Sequence, residues 1–202
     1  PPWRGNPACS ARCKAPPTAS PTLTRSARSA STSRASCCVS LVRPHMHGAS
    51  PSCSSIAHAG GMLADMPVAS QSASSWRTVH APKSHALHSM ACATHAVTLS
   101  QLVLFSSVSG TFGSPGQCNY AASNAALDAM GGALHTAGIC AQSCAWGAWG
   151  GSGMADQAVV RRRLGRLGFA LLDRSSGLNA LVQMLARTNT ISANFICSPM
   201  KW

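Results

Sequence analysis

From about Ser55 onward, four short apolar runs alternate with segments patterned as helices, and this alternation constrains the fold more than any other feature. The runs are "SSIAHAG", "QLVLFSS", "CAQSCAW" and "ISANFICS". Each has the length and the Val, Ile, Leu or Phe content of a buried strand. Between them, residues 83–97 carry Leu87, Met90 and Ala91 on one helical face. Asn119 to about Ala137 carries Leu127, Met130 and Leu134 as an inner stripe. "SSGLNALVQMLART" starts at serine cap candidates and places Leu178, Leu181, Val182 and Leu185 at i, i+3, i+4 and i+7. A β-α-β-α-β-α-β order predicts an α/β fold, a parallel sheet with helices on its faces. Ligands of such sheets bind beyond the carboxyl ends of the strands. The small-residue ends "AHAG", "FSSVSG" and "WGAWG" would all lie on that rim.

Residues 1–54 are unlike the rest. They are rich in Ser, Ala, Pro, Arg and Cys, contain no acid, and show almost no periodicity. The expectation is a low-complexity segment, disordered or a non-native leader, followed by the folded unit over 55–202. Its acid-poor, Arg- and Ser-rich composition is also that of an organelle transit peptide, and the two readings stay open. The chain carries 16 Lys and Arg against 4 acids, all aspartates, for a formal charge of +12. Such a balance ordinarily points to nucleic acid. Here the basic residues are not interleaved with aromatics: seven lie within residues 1–50 and another group is Arg161, Arg162, Arg163 and Arg166. No nucleic-acid partner is expected. No apolar run reaches the ~18 residues that cross a bilayer, so no membrane partner is expected either. Ten cysteines without metal-type spacing, four of them (Cys118, Cys140, Cys144 and Cys197) in apolar surroundings, read as reduced thiols of a cytoplasmic protein.

One tyrosine, Tyr120, follows a strand end and a Gly/Pro-rich turn in "FSSVSGTFGSPGQCNYAASNAALDA". A free phenol is a poor proton donor to a carbonyl at neutral pH. As a general acid it needs a nearby cation and a second donor to the substrate oxygen. Ser107, at the strand end, is placed to be that donor. Asn124 shares the Tyr120 face at i+4. Lys83 is the one lysine between positions 14 and 201 and would be the cation.

These residues carry a resemblance. "FSSVSGTFGSPGQCNYAASNAALDA" followed by "AWGAWGGSGM" resembles the ketoreductase domain of modular polyketide synthases, a branch of the short-chain dehydrogenase/reductase superfamily with relatives in fatty-acid synthases. "IAHAGGMLAD", "VHAPKSHALH", "RRLGRLGFALLDRSSGLNALVQMLA" and "SPMKW" resemble further parts of that domain, in order. The resemblance implies a Rossmann-like doubly wound parallel sheet. It also implies NADPH-dependent reduction of a β-ketoacyl thioester to the β-hydroxyacyl product. The substrate would arrive on the phosphopantetheine of an acyl carrier protein, among neighbouring synthase domains. Tyr120 would protonate the ketone oxygen, Ser107 would hydrogen-bond it, Lys83 would lower the phenol's pKa and touch the nicotinamide ribose, and Asn124 would complete the relay. The family exchanges the usual places of Lys and Asn, and a lysine 24 residues before Ser107 (107 − 83) fits that exchange. His58, Ala59, Gly60, Trp146, Gly147 and Ala148 would join Lys83 at the cofactor. Asp65 matches the last residue of a Leu-Asp-Asp motif of B-type enzymes, with Ala64 at its middle, while Phe112 stands where A-type enzymes carry Trp. This leans to B-type.

The pattern also departs from the family. No G-x-G-x-x-G is present, and no hydrophobic run before Ser55 could form the first three strands, so the sheet is expected to be truncated on its N-terminal side. The strand "SSIAHAG" would then become an exposed edge. A catalytically inactive, structural remnant is therefore the alternative reading. The histidines His80, His85, His88 and His95 lack a completing carboxylate or thiolate and read as helix-surface residues, so no metal is expected. The Arg161–Arg166 cluster would meet the carrier or form a solvated face. Trp146 and Trp149 would flank the nicotinamide or pack around the turn.

Overall fold

The computed structural model describes residues 38–41, 55–94, 99, 101–151, 158–186 and 193–200. The strands are β1 (Cys38–Leu41), β2 (Ser55–His58), β3 (Gln101–Ser107), β4 (Ala141–Trp146) and β5 (Asn194–Cys197). The helices are α1 (Ala73–His80), α2 (Ala86–Ala93), α3 (Val108–Phe112), α4 (Cys118–Thr136), α5 (Ala158–Arg166) and α6 (Arg174–Ala186). A π-helical segment, Ala81–His85, joins α1 to α2. The sheet order is β1-β2-β3-β4-β5, and β2 to β5 are all parallel. This is the α/β architecture that the alternating runs imply, and the Rossmann-like one that the resemblance implies.

Alternation along β3 explains why helices cover both faces. Leu102 and Leu104 join Ile56, Leu87, Leu127 and Leu134 in one core beneath α2 and α4. Val103 and Phe105 point the other way, toward Cys144, Trp146, Leu172 and Met184 on the α6 side. A strand buried on both faces has successive side chains in opposite cores. Helix α4 follows from its alanine-rich sequence, and Tyr120, Ser123, Asn124, Leu127, Gly131 and Leu134 form its buried face. Gly131 is a packing requirement: a Cβ there would meet Leu104 Cδ1 at 2.9 Å. Gly132, next to it, has open space.

Several expectations are corrected. Residues 1–54 were expected to hold no strand, yet Cys38–Leu41 pairs antiparallel with β2, Cys38 opposite His58 and Leu41 opposite Ser55. A β2 edge with unpaired backbone groups is satisfied by this short "CVSL" run. The remaining residues of 1–54, with Gly5 and Gly48, lie outside the described residues, as do His95, residues 96–98, Asp156, residues 187–192, Lys201 and Trp202. The helix expected from residue 83 begins at Ala73, on a capping box in which Ser72 and Ser75 serve each other's backbone N–H groups. Helix α6 is rotated from its expected face. Leu181 and Leu185 pack inward, but Leu178 and Val182 are 48% and 62% exposed, and Gly177 and Met184 are buried instead. Gly177 lies directly under the Trp149 ring, where any Cβ would collide, and that contact sets the rotation. Asp173, rather than a serine, caps α6: its carboxylate accepts from Ser176 N and Ser175 Oγ. Cys118, Cys140, Cys144 and Cys197 form no disulfide, and burial pushes the Cys144 thiol pKa up to about 12.

Leu127 is fully buried at the centre of the α4 face. Leu127→Ala is expected to destabilise the domain by about 2–5 kcal/mol, read as a lowered midpoint with unchanged slope in urea unfolding.

Candidate active site

The carboxyl ends of β2, β3 and β4 converge on a cavity of about 280 Å³. Its lining includes Lys83, Ser107 and Tyr120 from three different elements, together with Gly60, Trp146 and Ala148. Asn124 is fully buried one turn beyond Tyr120. The four residues expected at the chemical centre are thus brought together.

Lys83 sits in the π-helical segment directly after Pro82. Proline has no N–H to give the carbonyl four residues back, and its ring crowds that carbonyl, so the helix widens locally. Lys83 is only 3% exposed. Its Nζ donates to Phe105 O at 2.9 Å and stands 5.7 Å from the Tyr120 ring centroid. Burial depresses its pKa to about 8, opposed by the negative charge of Asp128. The backbone carbonyl of Lys83 is 3.1 Å from His58 Nε2. His58 is 2% exposed, and burial lowers its pKa, so it is a neutral imidazole whose Nε2–H donates to that carbonyl. His58 does not line the cavity, whereas Ala59, Gly60, Trp146, Gly147 and Ala148 do. Its place is behind Lys83, not against a ligand.

Ser107 ends β3 and caps α3, its Oγ accepting from Ser109 N and Ser109 Oγ at 3.3 and 3.0 Å. The phenol of Tyr120 is raised from its ordinary value by burial, and the side chains of Asn124 and Ser107 oppose the rise. The expectation that Lys83 lowers the phenol's pKa is therefore corrected. The ammonium is spent on Phe105 O and is itself desolvated, so burial of the ring prevails. Asn124 Nδ2 donates to Tyr120 O at 2.8 Å. Asn124 Oδ1 is buried and completes no hydrogen bond.

Two residues not singled out in the sequence frame this centre. Asn119, fully buried, accepts from Tyr120 N at 2.7 Å and donates to Ala64 O at 2.9 Å, tying the start of α4 to the loop after β2. Gln117 Nε2 donates to Asp65 Oδ2 at 2.7 Å across the same gap. Polar amides just before a helix are the available signal for both. Asp65 lines the cavity, but Phe112 does not: it is 53% exposed at the end of α3, its ring 5.6 Å from Phe169. Trp146 lies between the rings of Phe105 and Trp149 at 5.3 and 5.2 Å, so it both packs and lines the cavity. Arg161, Arg162 and Arg166 are exposed on α5. Among the described residues, no three His, Cys or Asp side chains converge as metal ligands.

Residues 33–151 match the family model described as the KR domain. The chain belongs to this family. It is a ketoreductase domain of the modular polyketide synthase kind, within the short-chain dehydrogenase/reductase superfamily. It is 46% identical over 128 residues to polyketide synthase GfsA of Streptomyces halstedii, covering 63% of this chain and 2% of that synthase. It is 34% identical over 151 residues to the phenolphthiocerol synthesis polyketide synthase type I Pks15/1 of Mycobacterium marinum, covering 73% of this chain and 7% of the relative. Among solved structures, A-type ketoreductases from a modular polyketide synthase superpose with a TM-score of 0.69 at 35% identity, over 74% of this chain and 31% of theirs. The first ketoreductase of the tylosin synthase gives 0.67 at 35% identity, over 74% and 32%. The ketoreductase match begins at residue 33, ahead of β1 and of the expected boundary at residue 55.

The cavity fits one end of a dinucleotide. Small residues at 59–61 and 147–148 leave room for a flat ring, Trp146 Nε1 is buried without a partner, and the Lys83 ammonium stands beside them. Among the described residues, no glycine-rich turn opens onto a helix N-terminus at this rim for a pyrophosphate.

Burial of Lys83 has a calculable effect on stability. Unfolded, its amine keeps the ordinary value of 10.5, and folded it titrates near 8. Between those values the unfolded chain holds more protons, so stability rises as pH climbs through the window and is reduced below it. Lys83→Met removes the titrating amine and is expected to abolish the parent's gain in stability across that window. Paired urea melts below and above the window check this.

Proposed function

We propose that this domain reduces the β-ketone of an acyl thioester to the β-hydroxyl, with NADPH as reductant and an acyl carrier protein presenting the substrate on phosphopantetheine. The observation that carries the reading is the meeting of a protonated phenol, a strand-end hydroxyl and a desolvated ammonium at one cavity on the carboxyl rim. NADPH supplies hydride when bound. The chain's residues do the rest. Ser107 Oγ donates to the ketone oxygen and orients it. Tyr120, kept neutral by burial, holds a proton against that oxygen and delivers it as negative charge develops. A raised phenol pKa is compatible with this step, because a developing alkoxide is a far stronger base than any phenolate. Lys83 offers positive charge as the proton leaves the ring, and Asn124 carries the path inward from the helix. Asp65 lines the cavity while Phe112 stands outside it, which supports the lean to B-type.

The alternative reading is a catalytically inactive, structural ketoreductase remnant. NADPH titration by fluorescence separates the two. Saturable binding with turnover of a β-ketoacyl thioester mimic is expected, and absence of both supports the remnant. Tyr120→Phe is expected to lower turnover by about 100-fold or more while NADPH binding stays intact. Undiminished turnover overturns the assignment.

A further inference from the structure

Asp128 lies on the same face of α4 as the reacting groups, with Tyr120, Asn124 and Asp128 at i, i+4 and i+8. Both of its carboxylate oxygens are engaged. Ser106 Oγ donates to Oδ2 at 2.9 Å and Ser143 Oγ donates to Oδ1 at 2.5 Å. Ser106 is on β3 and Ser143 on β4, in register two residues apart, and both are buried. One carboxylate therefore spans the seam between the two strands whose ends form the cavity. Ser106 follows Phe105, whose carbonyl accepts from Lys83 Nζ.

The charge of Asp128 also acts on Lys83, against the desolvation of the amine. The other titratable groups around that amine are few. Helix α4 presents Tyr120, β2 presents His58 behind the Lys83 carbonyl, the loop after β2 presents Asp65 toward Tyr120, and the lysine's own segment carries His80 and His85. Burial keeps Tyr120, His58 and His80 in their neutral forms, and of the two carboxylates Asp65 acts on the Tyr120 phenol while Asp128 acts on the amine.

We infer that Asp128 is a positioning residue of the reducing site: its carboxylate ties α4 to β3 and β4 through Ser106 and Ser143, and its charge keeps the Lys83 amine an ammonium beside Tyr120. The catalytic consequence rests on the proposed reductase function, but the electrostatic one does not.

The chain has three lysines, Lys14, Lys83 and Lys201, so a protein labelled with 13C at lysine Cε gives three resonances, and Lys83→Arg assigns one of them. In the parent, Lys83 is expected to titrate near 8. In Asp128→Asn it is expected to titrate lower by about half a pH unit or more, with a melting temperature close to the parent's because an amide can bond both serines. Asp128→Ser, smaller and neutral, gives the same readout if the amide does not fold. An unmoved Lys83 titration in a folded neutral variant overturns the inference. If the parent reduces ketones, the alkaline limb of its turnover is expected to move with the resonance, and a limb fixed while the resonance moves refutes the catalytic part. If the parent lacks turnover, the reductase reading fails while the resonance still decides the role of Asp128.

Discussion

An ammonium group taken almost wholly out of water is the constraint around which this domain is arranged. Desolvating a charge is unfavourable unless fixed dipoles and an opposite charge replace the lost water. Lys83 finds a dipole in Phe105 O, a charge in Asp128 and an aromatic face in Tyr120. These come from β3 and α4, so satisfying one side chain fixes the mutual position of strand and helix. His58 adds a fourth restraint by holding the backbone from which the lysine projects.

The phenol is governed by a different balance. Its burial favours the neutral form, and the polar neighbours Ser107 and Asn124 only moderate this. The ring is therefore a proton reservoir and not a standing anion. In the proposed reaction, proton donation comes from placement beside the oxygen that gains charge, with the cation ready as the proton departs. This differs from a site in which a neighbouring ammonium makes the phenol acidic before substrate arrives.

The sequence exposed the parts of the fold that repeat a pattern. "QLVLFSS" reads as a strand because its residues are apolar on both faces, and it spans the observed β3 without adjustment. Helix α4 was legible for the same reason. The missed pieces are those whose stability comes from partners instead of pattern. Helix α1, "ASSWRTVH", shows little apolar periodicity and is announced only by the Ser72–Ser75 box. Strand β1 is four residues whose warrant is the open edge of β2. At the site, residue type and spacing suggested that Tyr120, Ser107, Lys83 and Asn124 would lie near one another, and the resemblance supplied the roles expected of them. Asn119 and Asp128 could not be read this way, because their importance lies in which distant backbone or hydroxyl they meet.

The widened turn at Ala81–His85 shows how closely two tasks are phased. Lys83 faces the ligand rim and Leu87, four positions on, fills the core beneath the sheet. A regular helix advances about 100° per residue, and the wider turn accommodates one additional residue in the same arc. Losing a single residue between Pro82 and Leu87 would restore ideal winding, yet it would swing one of these side chains about a quarter of the way round the axis. The apparent irregularity is thus a length standard, and this short stretch would tolerate exchange of residue types more readily than any change in their number.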